Sequence, residues 1–238
     1  MPASALVGFD TATEDTAVCV WQDGEPLHES LIGTSEKGGP LHTAALLTEV
    51  ERAVEAAGGW GAVAAIAVGR GPGTFTGLRI GIATARALAL ARNLPLSGVP
   101  TLDALARGIG AVAGSAPRLP VLDARRGEVF SALYSPAGER LWGPVVDPPE
   151  ALAKRLVSLP APPLAAGSGA VRFRQHLTSQ GAEVPDDADV VHRIAARHIC
   201  AIAADRSGAE DSSPVAPIYL RAPDAERWRE RDSVQKAG

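Results

Sequence analysis

The stretch Ala5-Leu-Val-Gly-Phe-Asp10 is an apolar run that ends in an aspartate and is followed by a polar turn. Thr16-Ala-Val-Cys-Val-Trp21 comes next; it alternates and is rich in β-formers, so the two runs predict paired strands. Asp23-Gly24 is a strong hairpin turn and predicts a third strand at about residues 27–32. A similar opening recurs at Val121-Leu-Asp123, which indicates a chain built from two similar halves.

Each half then continues through a helix, a strand, a glycine turn and another helix. In the first half, the pattern predicts a helix at about residues 41–57, an unbroken apolar strand at 63–68 and a helix that runs to residue 92. In the second half, it predicts helices at about 170–179 and 189–206. Two ribonuclease-H-like halves of this kind make an α/β fold with the actin-like ATPase architecture.

The composition is that of a globular protein large enough for one domain or two small ones. The chain has 238 residues, of which 46% are hydrophobic. We expect an N-terminal subdomain over residues 1–115 and a C-terminal subdomain over residues 116–222. A charged, flexible tail is expected over residues 223–238.

Charge and cysteine content exclude several classes of protein. The net charge is −4 with no visible basic stripe, which argues against a tight, self-sufficient tRNA binder because such affinity depends on Lys and Arg neutralising phosphates. Cys19 and Cys200 each lie in an apolar stretch and make no disulfide framework. Neither a signal sequence nor a run of about 18 apolar residues is visible, so we expect a cytoplasmic protein without a membrane span.

Aspartates end the first strand of each half, where kinases of this fold hold Mg²⁺ and phosphate. The turn Asp10-Thr-Ala-Thr13 lacks the glycine that lets a backbone approach phosphates, and an aspartate that bonds its own turn is an equally good interpretation. Asp123 is followed closely by Arg125 and Arg126, which favours ion pairing over cation binding. Asp10, Thr11, Thr13 and Asp123 therefore form at most a vestigial nucleotide site.

A glycine-rich loop joins the strand at 63–68 to the next helix and is the second candidate site. Its residues are Gly71, Pro72, Gly73, Thr74, Phe75, Thr76 and Gly77. Backbone N–H groups at a helix start attract anions, although this loop lacks the Gly-Lys-[Ser/Thr] of a Walker A motif. The alternative is a tight structural turn in which the glycines permit close packing. Both interpretations stay open.

The remaining polar residues give no catalytic pattern. The five histidines are scattered, and neither His-Glu-x-x-His nor Cys-x-x-Cys occurs. Ser168 lies in Gly-Ser-Gly rather than in a Gly-x-Ser-x-Gly elbow. The sequence therefore predicts no catalytic residue and no metal site of its own.

Five motifs spread along the chain resemble the TsaB/YeaZ family. They are Val68-Gly-Arg-Gly-Pro-Gly-Thr-Phe-Thr-Gly-Leu-Arg-Ile-Gly81, Asp10-Thr-Ala-Thr13, Leu122-Asp-Ala-Arg-Arg-Gly-Glu-Val-Phe130, Gly167-Ser-Gly169 and Pro217-Ile-Tyr-Leu-Arg221. The first is the most specific, and in it Thr74 replaces the family's usual serine.

The resemblance implies a subunit needed for threonylcarbamoylation of adenosine 37 in tRNA (t6A). The family's partners are the catalytic paralogue TsaD, which holds the metal ion, and the ATPase TsaE; tRNA would be reached indirectly. The resemblance implies no cofactor of its own, and ATP or ADP only within the complex. Relative to TsaD, Asp103 and Arg107 stand at the two positions of a His-x-x-x-His metal pair, so the resemblance implies a non-catalytic subunit.

The resemblance also implies that helices of the N-terminal half bind TsaD, or a second copy in a homodimer. The expected interface residues are Leu46, Val50, Leu78, Arg79, Ile82, Ala85, Arg86 and Ala89. Replacing Ala85 or Ala89 with Glu is expected to break the heterodimer and leave the monomer folded. The alternative is that the chain itself covers this helix. An actin-fold phosphotransferase and a self-associating scaffold unrelated to tRNA are the other functions that remain.

Overall fold

The computed structural model describes residues 4–35, 39–206 and 215–221, and within them the strands form two sheets. The first sheet contains β1 (Ala5–Asp10), β2 (Thr16–Gln22), β3 (Glu25–Ile32), β4 (Val63–Gly69) and β5 (Leu96–Val99) in the order β3-β2-β1-β4-β5. Strands β1 to β3 pair antiparallel, and β4 and β5 run parallel to β1.

The second sheet repeats this topology with one strand fewer. It contains β6 (Arg118–Asp123), β7 (Val129–Tyr134), β8 (Arg140–Asp147) and β9 (Leu164–Ala166) in the order β8-β7-β6-β9. Again three strands pair antiparallel and the last runs parallel to the first of the set. The predicted actin-like ATPase architecture with two ribonuclease-H-like halves is confirmed.

Helices cover the outer faces of both sheets and fill the space between them. They are α1 (His42–Ala56), α2 (Phe75–Arg92), α3 (Thr101–Gly110), α4 (Pro149–Leu156), α5 (Ser168–Arg172), α6 (Arg174–Thr178) and α7 (Ala196–Asp205). Helices α1 and α2 pack on the first sheet through one core cluster, and α4, α5 and α6 pack on the second through another. Helices α3 and α7 contact each other between the sheets.

Helix α7 belongs to the second half in sequence but packs on β1 and β2 of the first sheet. A Cβ on Gly8 would lie 2.5 Å from the Sγ of Cys200, so the glycine permits this close approach. The last described helix therefore ties the two halves together.

Two of the predicted helices are broken. The segment 170–179 splits into α5 and α6 at Phe173, whose φ of −113° is not helical. In the segment 189–206, a 3₁₀ turn (Val190–His192) precedes extended backbone at Arg193, and α7 starts at Ala196. The break lets Ile194 enter the core, which a continuous helix pattern does not reveal.

The predicted tail at 223–238 lies outside the described residues. Among the helices that the structure describes, none combines the length and apolarity needed to cross a bilayer.

Candidate functional site

The glycine-rich loop between β4 and α2 packs directly on the backbone that follows β1. The Thr74 N–H donates to the carbonyl of Ala12 at 2.7 Å. A Cβ on Gly73 would lie 2.3 Å from the Ala12 carbonyl oxygen, and one on Gly77 would lie 1.9 Å from that of Thr11. Only glycine fits at these two positions, because no side-chain atom can approach a backbone oxygen so closely.

Asp10 is the polar centre of this junction and is 1% exposed. Its Oδ1 accepts from the Ala12 N–H at 2.7 Å, and its Oδ2 accepts from the Thr101 hydroxyl at 3.0 Å. The Oγ1 of Thr101 in turn accepts from the Gly71 N–H at 3.0 Å. One carboxylate therefore joins the end of β1, the glycine loop and the start of α3.

Burial raises the pKa of the Asp10 carboxyl to about 6, although its two hydrogen bonds oppose the rise. Below its ordinary pKa of 3.8 the group is protonated in the folded and unfolded states alike. The free energy of unfolding should therefore fall as pH rises through 3.8 to about 6, because only the unfolded chain ionises freely there.

Asp10→Asn isolates this effect. We expect the stability of the wild type relative to Asp10→Asn to drop by about 3 kcal/mol between pH 3.5 and 7, where ~1.4 kcal/mol corresponds to each pKa unit. Urea unfolding of both proteins at intervals across that range measures the difference. A flat difference would show that Asp10 does not titrate in this range.

The arrangement around the loop is that of a tight structural turn. The Gly71 and Thr74 N–H groups bond within the chain, and the hydroxyl of Thr11 donates to the Gly77 carbonyl at 2.7 Å. Gly71 and Pro72 are buried, while Phe75 and Thr76 are exposed. An anion would have to compete with these internal bonds, so anion binding here stays a prediction.

A cleft of about 410 Å³ separates the two halves beside this loop. Its lining residues are Ala12, Thr13, Glu14, Asp15, Gly73, Thr74, Leu122, Asp123, Arg125, Ser168, Val171, Arg172, Asp187, His192 and Arg193. Thr13 is half-buried, and its carbonyl accepts from the Nε2 of His42 at 3.0 Å. Burial lowers the pKa of His42, which favours the neutral ring.

The carboxylates of Glu14 and Asp15 in this cleft form ion pairs with arginines. Arg193 donates to both oxygens of Asp15, at 2.8 and 2.6 Å, and Arg125 pairs with Glu14. Both contacts join one half to the other. They were not predicted, because Arg193 and Asp15 are separated by 178 positions and no local pattern marks them as partners.

Asp123 is also fully engaged. It accepts from the Arg125 N–H at 2.8 Å and from the Arg172 guanidinium at 2.7 Å. Ion pairing by Asp123 was predicted, although Arg172 was not foreseen as its partner. A nucleotide-bound cation does not fit these residues as arranged, because the carboxylates of Asp10 and Asp123 both have internal partners.

Ion pairs also fill positions 103 and 107 of α3, where the resemblance noted in the sequence predicted the loss of a metal-binding pair. Asp103 accepts from the Tyr134 hydroxyl at 2.6 Å and lies 3.3 Å from Arg206, and Arg107 donates to Asp205 at 2.8 Å. Across the ranges 4–35, 39–206 and 215–221, no cluster of three or more His, Cys, Asp or Glu residues could hold a metal ion.

Most residues of the expected partner interface lie in the core of the chain itself. Leu46, Val50, Leu78, Ile82, Ala85 and Ala89 are all at most 8% exposed. All of them except Leu78 belong to the core cluster that α1 and α2 form on the first sheet. These six assignments are corrected, because a partner cannot reach buried side chains. The apolar side of α2 that contains Leu78, Ile82, Ala85 and Ala89 packs inward, which agrees for these residues with the alternative that the chain itself covers the helix.

The outer face of α2 carries a different set of residues. Arg79 and Arg86 are exposed as expected, and so are Ala83, Ala87 and Leu90. Arg79, Ala83, Ala87 and Leu90 follow one another at intervals of three or four residues, so they lie on one side of the helix. We call these four residues the outer stripe of α2. Leu90 is 85% exposed.

The chain is similar to known proteins in both sequence and structure. Residues 36–206 match a family model described as TsaD, tRNA N6-adenosine threonylcarbamoyltransferase. The tRNA threonylcarbamoyladenosine biosynthesis protein TsaB of Escherichia coli is 38% identical over 138 residues, which is 58% of each protein. The matched region thus spans less than two thirds of that relative.

Two solved structures are similar over nearly the whole chain. YeaZ from Pseudomonas aeruginosa is 28% identical with a TM-score of 0.74, and the match covers 91% of this chain and 100% of that one. A second P. aeruginosa structure, described as an uncharacterised protein with similarity to peptidase YeaZ, is 30% identical with a TM-score of 0.75, covering 92% and 100%. The sequence motifs, the paired halves and these matches together show that the chain belongs to the TsaB/YeaZ family.

Proposed function

We propose that this protein is a non-catalytic subunit of the cytoplasmic machinery that places threonylcarbamoyl on adenosine 37 of tRNA. The observation that carries the proposal is which two residues α3 has at positions 103 and 107 in a member of this family. Where the alignment places the metal-binding histidines of TsaD, Asp103 and Arg107 are held in ion pairs. The absence of a histidine pair at these two positions supports a non-catalytic role.

In this proposal the protein acts by binding and activating TsaD, and TsaE joins the same complex. The outer stripe of α2 supports it, because the small side chains of Ala83 and Ala87 let another helix approach closely and the exposed Leu90 offers apolar surface to it. ATP or ADP acts only within the complex, and tRNA is reached through TsaD. A homodimer through the same face is the alternative assembly of the isolated chain.

Reconstituted tRNA modification tests this function. TsaD, TsaE and the adenylate-forming enzyme of the same organism are incubated with tRNA and substrates, with and without this protein, and t6A is measured by mass spectrometry of nucleosides. We expect modification only when this protein is present. Equal modification in its absence would contradict the proposal.

A control measurement addresses the two other functions. The protein alone, incubated with Mg²⁺ and ATP, should show no turnover above a heat-treated sample. Turnover by the isolated chain would favour a phosphotransferase, while self-association with no effect on tRNA modification would favour an unrelated scaffold.

A further inference from the structure

Two half-exposed aromatic rings from distant parts of the chain meet at the start of α2. Phe75 is 44% exposed and Tyr219 is 43% exposed, with ring centroids 5.7 Å apart. The guanidinium of Arg79 stacks on Phe75 at 3.8 Å from the ring centroid. We call Phe75, Arg79 and Tyr219 the aromatic cluster.

The segment 215–221 holds Tyr219 in this position. The Ile218 N–H donates to the Arg70 carbonyl at 2.7 Å, and Arg86 donates to the Val215 carbonyl at 2.7 Å. At the other end, Arg221 donates to the Ala124 carbonyl of the second half at 3.2 Å. Tyr219 is thus fixed beside α2 before any partner arrives, which reduces the entropy lost on binding.

The aromatic cluster carries a positive charge on Arg79, and no carboxylate of the described residues pairs with it. The sequence between Glu55 and Asp103 contains four arginines and neither Asp nor Glu. This segment is therefore positive, although the net charge of the whole chain is −4. Within the described ranges, Arg79 forms no salt bridge, whereas Arg155, which stacks on Trp142 in the second half, pairs with Asp147 at 3.0 Å. Among the residues that the structure describes, no carboxylate neutralises Arg79, so its charge is available to a partner.

The cluster is continuous with the outer stripe, because Arg79 belongs to both. Phe75 lies one turn before Arg79, and Ala83 one turn after it. Aromatic and arginine side chains that adjoin an apolar strip are the residue types that dominate binding energy at protein interfaces.

We propose that the aromatic cluster anchors an acidic segment of a protein partner, with a carboxylate on Arg79 and an apolar side chain against the rings of Phe75 and Tyr219. This inference rests on the proposed function, in which TsaD binds α2. Leu90 and the alanines of the outer stripe are exposed, and they favour a protein as the binding partner over RNA. A phosphate backbone would leave these apolar side chains uncovered. A second copy on this face, which is the alternative assembly of the isolated chain, would offer Arg79 no acid from its own α2, so an acidic segment of TsaD fits the aromatic cluster better.

Affinity for TsaD of the same organism, measured by calorimetry with full-length proteins, tests the anchor. Arg79→Gln and Tyr219→Ala should each weaken binding by 10- to 100-fold, and Tyr219→Phe should stay within about threefold of the wild type. The affinity of the wild type should fall with added salt, and Arg79→Gln should reduce that dependence. Arg155→Gln is the matched control, since it removes a similar arginine–aromatic stack in the second half and should not change affinity.

Circular dichroism melts establish that each variant is folded. Folded Arg79→Gln and Tyr219→Ala proteins that bind as tightly as the wild type would overturn the anchor, while loss of binding by Ala87→Glu in the same series would leave the α2 interface standing. Variants that keep TsaD affinity but lose tRNA binding by the complex would assign the cluster to RNA and also overturn it. A wild type that does not bind TsaD at all would instead refute the proposed function.

Discussion

The Gly77→Ala variant is expected to lose more than about 3 kcal/mol of its free energy of unfolding. Gly77 lies in the first turn of α2, where alanine would normally stabilise a helix by about 1 kcal/mol over glycine. Here the new Cβ would lie 1.9 Å from the Thr11 carbonyl oxygen, so α2 or the end of β1 has to move. Because Asp10 and Thr101 bond into the same junction, the displacement should spread to α3.

Chemical denaturation of purified protein measures this effect. Gly61→Ala is the matched control, because a Cβ there would meet no atom within 4 Å and should change stability by less than about 0.5 kcal/mol. If Gly77→Ala were as stable as Gly61→Ala, the loop would not be packed on the backbone after β1 as described.

A glutamate on the buried face of α2 should destabilise the fold, whereas a glutamate on its exposed face should prevent partner binding. At Ala85, which is 0% exposed within the core on the first sheet, Glu buries an unpaired charge and should cost about 4 kcal/mol or prevent folding. At Ala87, which is exposed, Glu should leave the melting temperature nearly unchanged. Ala87→Glu should nevertheless abolish association with TsaD, because it places a charge in the centre of the outer stripe.

Thermal melts and gel filtration with TsaD separate the two effects. A folded Ala87→Glu protein that still forms the complex would rule out this face as the interface. A stable Ala85→Glu protein would contradict the buried position of residue 85. The contrast replaces the expectation from sequence that glutamate at residue 85 or 89 leaves the monomer folded.

The repeat of strand order was predictable because the physical signals are local. Alternation over Thr16–Gln22, the Asp23-Gly24 turn and the apolar run of β4 each depend on neighbours in the chain. The broken helices were not predictable in the same way. A periodic pattern continues through residues 170–179 and 189–206, and it is the packing of Ile194 and the pairing of Arg193 with Asp15 that interrupt the second helix.

The candidate site, too, was only partly predictable from the sequence. The glycines of the loop were identified from sequence, but the carbonyls that require them, on Thr11 and Ala12, were not. The aromatic cluster had no sequence signal, because Phe75 and Tyr219 lie in separate motifs and only the path of segment 215–221 brings their rings together.

By itself, the sequence determined the two-halved α/β fold and the lack of local catalytic motifs, since these follow from short-range patterns of polarity, turn residues and spacing. The family came from the resemblance of five motifs along the chain to known proteins. Only the tertiary structure decided which face of α2 is free, because periodicity marks an apolar side without saying what covers it. It also decided that Asp10 and Asp123 are bound internally, since their partners Thr101 and Arg172 reach them through folding rather than through proximity in the chain.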